Sequence, residues 1–395
     1  MKNTLYVPGF LVGVTKAGIK GFEKEDMALI YSETPAVVAG TFTKNQVKAA
    51  PVILTAHRVK SGLAQAIIVN SGNANACTGL QGERDAKEMT ALVAKGLNIP
   101  EQLVLICSTG VIGQPLPMDK IRKGVDRLLK KLTPTGWKEA AKAIMTTDTF
   151  PKLVYKEGRI KGIPFRLLGI AKGAGMIRPD MATMLAFFVT DIAISPTLLQ
   201  PLFKEVVSVS FNRISVDGDT STNDTALILA NGRAQNPGKT REDFTPFATC
   251  LYEAATELAR MIAKDGEGAS KLIEIVVQGA KSIKEADQIA MTVANSPLVK
   301  TAIYGEDANW GRIMAAIGRA GVEIDPEKID IYFGNICVVK NGLGQGEKAE
   351  KEVHVYLKKK EVLLKIDLKL GKATTTWYTC DLTEEYIHIN AAYRT

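Results

Sequence analysis

The stretch KGAGMIRPDMATMLAFFVTD, residues 172–191, decides how this chain folds. It opens on Lys172 directly after the apolar run FRLLGIA (165–171), bends through Gly173 and Gly175, and turns again at Pro179-Asp180. Thr183 then opens a second apolar run, with LAFFVTDIAI at 185–194. Short apolar runs bounded by glycine and proline read as buried strands. This placement puts the Thr183 hydroxyl at the mouth of a buried strand, and the small Ala182 leaves room around the peptide bond before it. A phosphate-binding loop would need G-x-x-x-x-G-K-[ST], which the segment lacks. Taken alone, Thr183 is a strand-edge threonine.

Outward from this segment, further strands are predicted at 64–70, 102–108, 271–279 and 330–339, with paired runs at 352–357 and 361–369. Amphipathic helices are predicted at 83–97, 118–132, 136–145, 197–210, 244–264, 283–294 and 309–320. In the second of these, Ile121, Val125, Leu128 and Leu129 share one face, opposite lysines and arginines. Such alternation is the pattern of an α/β (α+β) protein. A length of 395 residues suits two or three structural units. The last third is richer in strand pattern, so a smaller C-terminal α/β unit is expected over about 280–395. No fixed-period repeat and no low-complexity linker divides the chain.

Composition narrows the function. Hydrophobic residues at 46% and charged residues at 23% are those of a globular protein. The net charge is +8, yet the basic residues are dispersed among acidic ones. The densest group, Lys358, Lys359 and Lys360 with Lys365, Lys369 and Lys372, reads as a solvated hairpin face, so no nucleic-acid partner is expected. No apolar run reaches the ~18 residues that span a bilayer, so no membrane partner is expected. Pro8, Gly9 and Gly13 break the apolar start, which makes a poor export signal. The five cysteines (Cys77, Cys107, Cys250, Cys337, Cys380) form no C-x-x-C pair and fit a reducing cytoplasm. Of the three histidines, His57, His354 and His388, the last two fall in strand-like alternation. No metal-ligand spacing and no G-x-S-x-G occurs, so no metal is expected and a catalytic base other than imidazole is.

Three more segments pack small and polar residues between apolar runs. In VNSGNANACTG (69–79) composition favours an Asn-Gly turn over a ligand loop. In ICSTGVIGQPLP (106–117), Gly110 lets the backbone turn sharply after Thr109 and aim an N–H into a cleft, as an oxyanion donor must. In SVDGDTSTNDT (215–225), Asp217, Asp219 and Asp224 lack EF-hand spacing, and a turn dense in side-chain-to-backbone hydrogen bonds is the better reading.

The segment KGAGMIRPDMATML resembles the cleavage-site motif of the ornithine acetyltransferases, also called bifunctional glutamate N-acetyltransferases, of arginine biosynthesis. NSGNANACTG, CSTGVIG, MTTDTFPK (145–152), SVDGDTSTNDT, KDGEGASK (264–271), YGEDANWGR (304–312) and NAAYRT (390–395) match in the same order. The resemblance runs from residue 8 to the last residue.

The resemblance implies a layered sheet sandwich of the self-processing, N-terminal-nucleophile-like type. It implies a cut between Ala182 and Thr183, giving an α chain of residues 1–182 and a β chain of 183–395, assembled as a heterotetramer of two of each. Thr183 becomes the nucleophile and Thr109 and Gly110 the oxyanion donors. Substrate contacts fall on Thr146, Lys172, Thr183, Glu267, Asn390 and Thr395, with Thr146 and Thr147 not distinguished by spacing. The implied substrates are N2-acetyl-L-ornithine and L-glutamate. No cofactor is implied, and family members differ in whether acetyl-CoA serves as a co-substrate. Asp307, Asn309, Trp310 and Arg312 are expected to organise packing near the site. The alternative is an N-terminal-nucleophile amidohydrolase or aminopeptidase of related fold, using the same threonine but passing the acyl group to water. The acceptor-site motifs KGAG, DGEG and NAAYRT favour the transferase.

Overall fold

The computed structural model describes residues 5–20, 24–178 and 184–392. The first part of the chain runs β1 (Phe10–Thr15), β2 (Met27–Phe42), α1 (Ala50–Val59), β3 (Leu63–Asn73), α2 (Gly79–Leu97), β4 (Val104–Val111), α3 (Met118–Leu129) and α4 (Trp137–Ala143). It continues through β5 (Lys152–Ile160), β6 (Ile163–Lys172), β7 (Leu185–Thr190), α5 (Pro196–Val209), β8 (Thr225–Ala230) and α6 (Thr245–Lys264). The strands make one mixed sheet in the order β4-β3-β2-β8-β7-β6-β5, with β1 paired to β2. Two of its neighbour pairs are parallel, β3 with β4 and β7 with β8.

The continuous apolar character of LAFFVT and TALILA follows from burial on both faces. Leu185, Phe187 and Val189 join an interior core with Ile67, Val69, Leu105, Ile170 and Leu229, closed by α4. Ala186 and Phe188 point the opposite way, into the core under α5 and α6. At the other end of the sheet, α2 and α3 cover Ala66, Ile68, Val104 and Ile106. The sheet is therefore enclosed by helices, as an α/β protein requires.

The second part comprises β9 (Leu272–Ala280), α7 (Ile283–Ala294), α8 (Pro297–Tyr304), α9 (Trp310–Gly318), β10 (Asp330–Phe333), β11 (Ile336–Lys340) and β12 (Leu343–Gly344). It closes with α10 (Glu347–Leu357), β13 (Glu361–Asp367), β14 (Ala373–Cys380) and α11 (Glu384–Ala392). Its strands form a second mixed sheet, β12-β11-β10-β13-β9-β14, with a core of its own under α7 and α9.

Several expectations need correction here. Residues 352–357 lie in α10, not in a strand, and β13 pairs with β9 and β10 instead of with them. The run EVHVYL carries both periods, and burial of Val353 and Leu357, four apart, resolves it in favour of the helix. His354 and His388 are accordingly on helices, α10 and α11. Nor is the lysine group a simple solvated hairpin face, since Lys369 pairs with the buried Asp330 at 2.6 Å. The predicted strand 330–339 is a hairpin, folded at Gly334. No helix among the described residues is long and apolar enough to cross a membrane.

Phe188 is fully buried against Phe203 and Phe211, with ring centroids 6.0 and 6.3 Å away. Phe188→Ala should destabilise the protein by about 3–5 kcal/mol. Chemical denaturation would read this as a lower midpoint at unchanged slope, and a loss under ~1 kcal/mol would contradict this account of the core.

Candidate active site

The ends of β4 and β6, strands near opposite ends of the first sheet's order, come together at the site. β4 ends on Thr109, Gly110 and Val111, and β6 ends on Lys172. At Gly110 the backbone φ is +133°, and a Cβ there would lie 2.3 Å from the carbonyl carbon of Gly72 on β3. Only glycine fits that crossing. The buried Lys172 Nζ donates to Thr109 Oγ1 at 3.3 Å. An ammonium has no acceptor role, so the Thr109 hydroxyl hydrogen is left to donate elsewhere.

Register places the neighbours of Lys172. It pairs with Leu185 on β7, which pairs with Thr225 on β8. Asp224, fully buried, therefore sits beside Met184, whose N–H donates to Asp224 Oδ1 at 3.1 Å. Burial pushes the Asp224 carboxyl well above the usual carboxylate range. Burial likewise pushes Lys172 below an ordinary lysine, opposed by Asp148, Asp224 and Glu267 and assisted by the charge of Lys152. Asp148 goes the other way. Its burial favours the neutral form, but Lys172, Lys152 and the Gly173 N–H together hold it down at about 2.

The opposite wall comes from the turn after α6 and from α11. Glu267 accepts from Asn390 Nδ2 at 2.9 Å, and its own N–H donates to Ala174 O at 2.9 Å. Gly175 permits this approach, because a Cβ there would lie 2.3 Å from the Glu267 carboxylate carbon. Asp217 accepts from the N–H groups of Met176 and Ile177 at 2.6 and 2.9 Å and from Tyr386 Oη at 3.3 Å. Asn223 Nδ2 donates to Ala74 O and Ser108 O, tying the β8 entry to the ends of β3 and β4.

Thr109, Gly110, Thr146, Lys172, Glu267 and Asn390 all line one cavity of about 200 Å³. Thr147 lines it too, so either threonine is within reach of a ligand. Ala182, Thr183 and Thr395 lie outside the described residues. Asp217, Asn223 and Tyr386 also line the cavity, and sequence reasoning did not assign them a place there. The 215–225 motif was the available signal for the first two, while Tyr386 carries none.

Two readings change. Asp307, Asn309 and Trp310 line a different cavity, with Glu350 and His354, so they do not organise this site. The reason is that the 304–312 segment caps the second core, where Trp310 Nε1 bonds Glu350. The 69–79 segment is more than a turn: β3 continues through Asn73, and Ala74 reaches the cavity. None of the three histidines lines it. The cavity thus presents an ammonium, a carboxylate, amides and hydroxyls beside a Thr-Gly turn, a set suited to a zwitterionic ligand and to a developing oxyanion.

Comparison with known proteins agrees. A model of the ArgJ family matches residues 11–395. The arginine biosynthesis bifunctional protein ArgJ of Geobacter sulfurreducens is 50% identical over 391 residues, covering 98% of this chain and 100% of that one. The protein of the same name from Caldanaerobacter subterraneus subsp. tengcongensis is 50% identical over 98% of this chain and 97% of its own. Among solved structures, the arginine biosynthesis bifunctional protein ArgJ of Bacillus halodurans is 45% identical, with a TM-score of 0.50, over 51% of this chain and 96% of that chain. A family model that matches residues 11–395 and relatives 50% identical over 98% of the chain lead to one conclusion: the chain belongs to the ArgJ family.

Proposed function

We propose that this protein is a self-cleaving acetyltransferase of arginine biosynthesis, moving the acetyl group from N2-acetyl-L-ornithine to L-glutamate. The observation that carries the reading is the convergence of Thr109, Gly110, Thr146, Lys172, Glu267 and Asn390 on one cavity. Full-length relatives bearing the name arginine biosynthesis bifunctional protein support it.

The nucleophile in this reading is Thr183. Its hydroxyl first attacks the Ala182 carbonyl, and water hydrolyses the resulting ester, leaving an α chain of 1–182 and a β chain of 183–395. Support comes from the Bacillus halodurans polypeptide, which matches over 96% of its own length yet covers only 51% of this chain. The freed α-amino group has an ordinary pKa of about 7.7–8.0 and takes the Oγ proton, which serves a cavity lined by no histidine. Thr183 Oγ then attacks the acetyl carbonyl of acetylornithine. The Thr109 hydroxyl and the Gly110 N–H receive the oxyanion, and the ornithine α-nitrogen leaves with the proton. Glutamate's α-amine attacks acetyl-Thr183, forms N-acetylglutamate and restores the threonine. Lys172 meets the α-carboxylate that both amino acids carry, and Glu267 meets the side-chain ammonium of ornithine. We extend the proposal to acetyl-CoA as a second donor, to an assembly of two α and two β chains, and to a cytoplasmic location.

Processing should yield a second fragment whose N-terminal sequence reads TMLAFF, and Thr183→Ala should stay uncut and inactive. A stable uncut chain with full activity would exclude the mechanism. Lys172→Ala should raise KM for acetylornithine and glutamate alike, lowering kcat/KM roughly 10- to 150-fold through loss of a charge-assisted hydrogen bond. In the native protein that affinity should fade as pH rises through the lowered pKa of Lys172, because only the ammonium binds the carboxylate. Kinetics equal to wild type for both substrates would remove Lys172 from the pocket. Initial-rate plots at several glutamate concentrations should be parallel, and protein mixed with acetylornithine alone should carry one acetyl group on Thr183. Thr109→Ala should lower kcat about 10²–10³-fold. Acetyl-CoA as sole donor should also yield N-acetylglutamate. Intersecting plots without an acetylated threonine would mean direct transfer, and turnover indifferent to glutamate would mean a hydrolase.

A further inference from the structure

Asp148 stands behind the cavity without lining it. Its side chain has no exposure to solvent, and both oxygens are occupied. Oδ1 accepts from Lys152 Nζ at 2.6 Å and from the Gly173 N–H at 2.7 Å, while Oδ2 accepts from the Thr146 N–H at 3.0 Å. One carboxylate therefore holds the backbone of an expected substrate contact, Thr146, and the residue that follows Lys172. Lys152 is fully buried as well and reaches onward to Asp265 at 2.5 Å, two residues before Glu267. Asp265 also accepts from Thr149, both from its N–H at 3.0 Å and from its hydroxyl. The network joins the wall built by residues before 182 to the wall built by residues after 183.

The charges around Lys172 are Asp148, Asp224 and Glu267 against Lys152 and Lys20. The anions are not equivalent. Asp224 is driven toward its neutral form by burial, and Glu267 is engaged by Asn390 and faces the ligand space. Asp148 alone of the three is both fully buried and satisfied by a cation and two backbone N–H groups. A carboxylate so bound stays ionised, and an opposite charge nearby favours the charged form of its neighbour.

We propose that Asp148 is a positioning residue of this site, supplying the fixed negative charge that keeps Lys172 an ammonium in its dry setting and holding the Thr146 and Gly173 backbones at one spacing. Its consequence for catalysis rests on the reading of Lys172 as the carboxylate-binding cation. The charge state of Lys172 does not, and can be measured by itself.

The test is competitive labelling of Lys172 with acetic anhydride across pH in the full chain, read by mass spectrometry of its peptide, in wild type, Asp148→Asn and Lys152→Gln. A merely structural defect would move both variants alike. The proposal requires opposite signs. Asp148→Asn removes an anion and should lower the labelling midpoint by about one pH unit or more, and Lys152→Gln removes a cation and should raise it. The alkaline limb of kcat/KM should move with the midpoint in each variant, with KM for the acetylated amino acid changing more than kcat. Midpoints that shift in the same direction, or an unmoved midpoint in Asp148→Asn, overturn the proposal. If Asp148→Asn does not accumulate, Lys152→Gln decides it, and an unmoved or lowered midpoint there overturns it. Midpoints that move as stated while Lys172→Ala keeps wild-type kinetics would uphold the role of Asp148 and reject Lys172 as the carboxylate-binding cation instead.

Discussion

Two lysine ammonium groups lie buried at one edge of the first sheet, Lys152 where β5 begins and Lys172 where β6 ends. Removing such a charge from water costs several kcal/mol unless anions and hydrogen bonds surround it. Most of the local architecture answers that requirement. The α4–β5 loop brings Asp148, the end of α6 brings Asp265, and the turn beyond it brings Glu267. Segments distant in sequence are held at one place because each carries a partner that a buried charge cannot do without.

The second sheet contributes support more than chemistry. β14 runs antiparallel to β9, with Cys380 opposite Leu272. Directly after that strand, Asp381 accepts from the N–H groups of Ser270 and Lys271 at 2.8 and 2.9 Å. This clasp sets the start of α11 against the turn that carries Glu267, and so brings Tyr386 and Asn390 to the cavity. A helix whose sequence has little amphipathic character thus acquires its position from a carboxylate clasp and not from a core face.

Much of the architecture was legible because local patterns were unambiguous. The run at 165–171 is strand, the run from 185 is strand as far as Thr190, and Gly110 carries a conformation that its place after Thr109 foretold. Other elements were hidden for specific reasons. β2 is sixteen residues long but contains the polar SETP stretch, where its register with β3 shifts between Tyr31 and Ala36. α10 satisfies strand and helix periods at once. Asp148 and Lys152 lie within MTTDTFPK, yet nothing in that stretch says that both are buried.

By itself the amino-acid sequence determined the α/β character, the glycine turns at the strand ends and the scarcity of histidine, and its resemblance named six residues that one cavity gathers. Those are properties of short windows: the period of apolar residues, the backbone freedom of glycine, and motifs read in order. Tertiary structure alone decided which strands pair in parallel, which lysines lose their water, and which carboxylates stand beside them. Register and burial depend on contacts between residues as far apart as Lys152 and Asp265, and a charged side chain shows its environment only once the chain has closed around it.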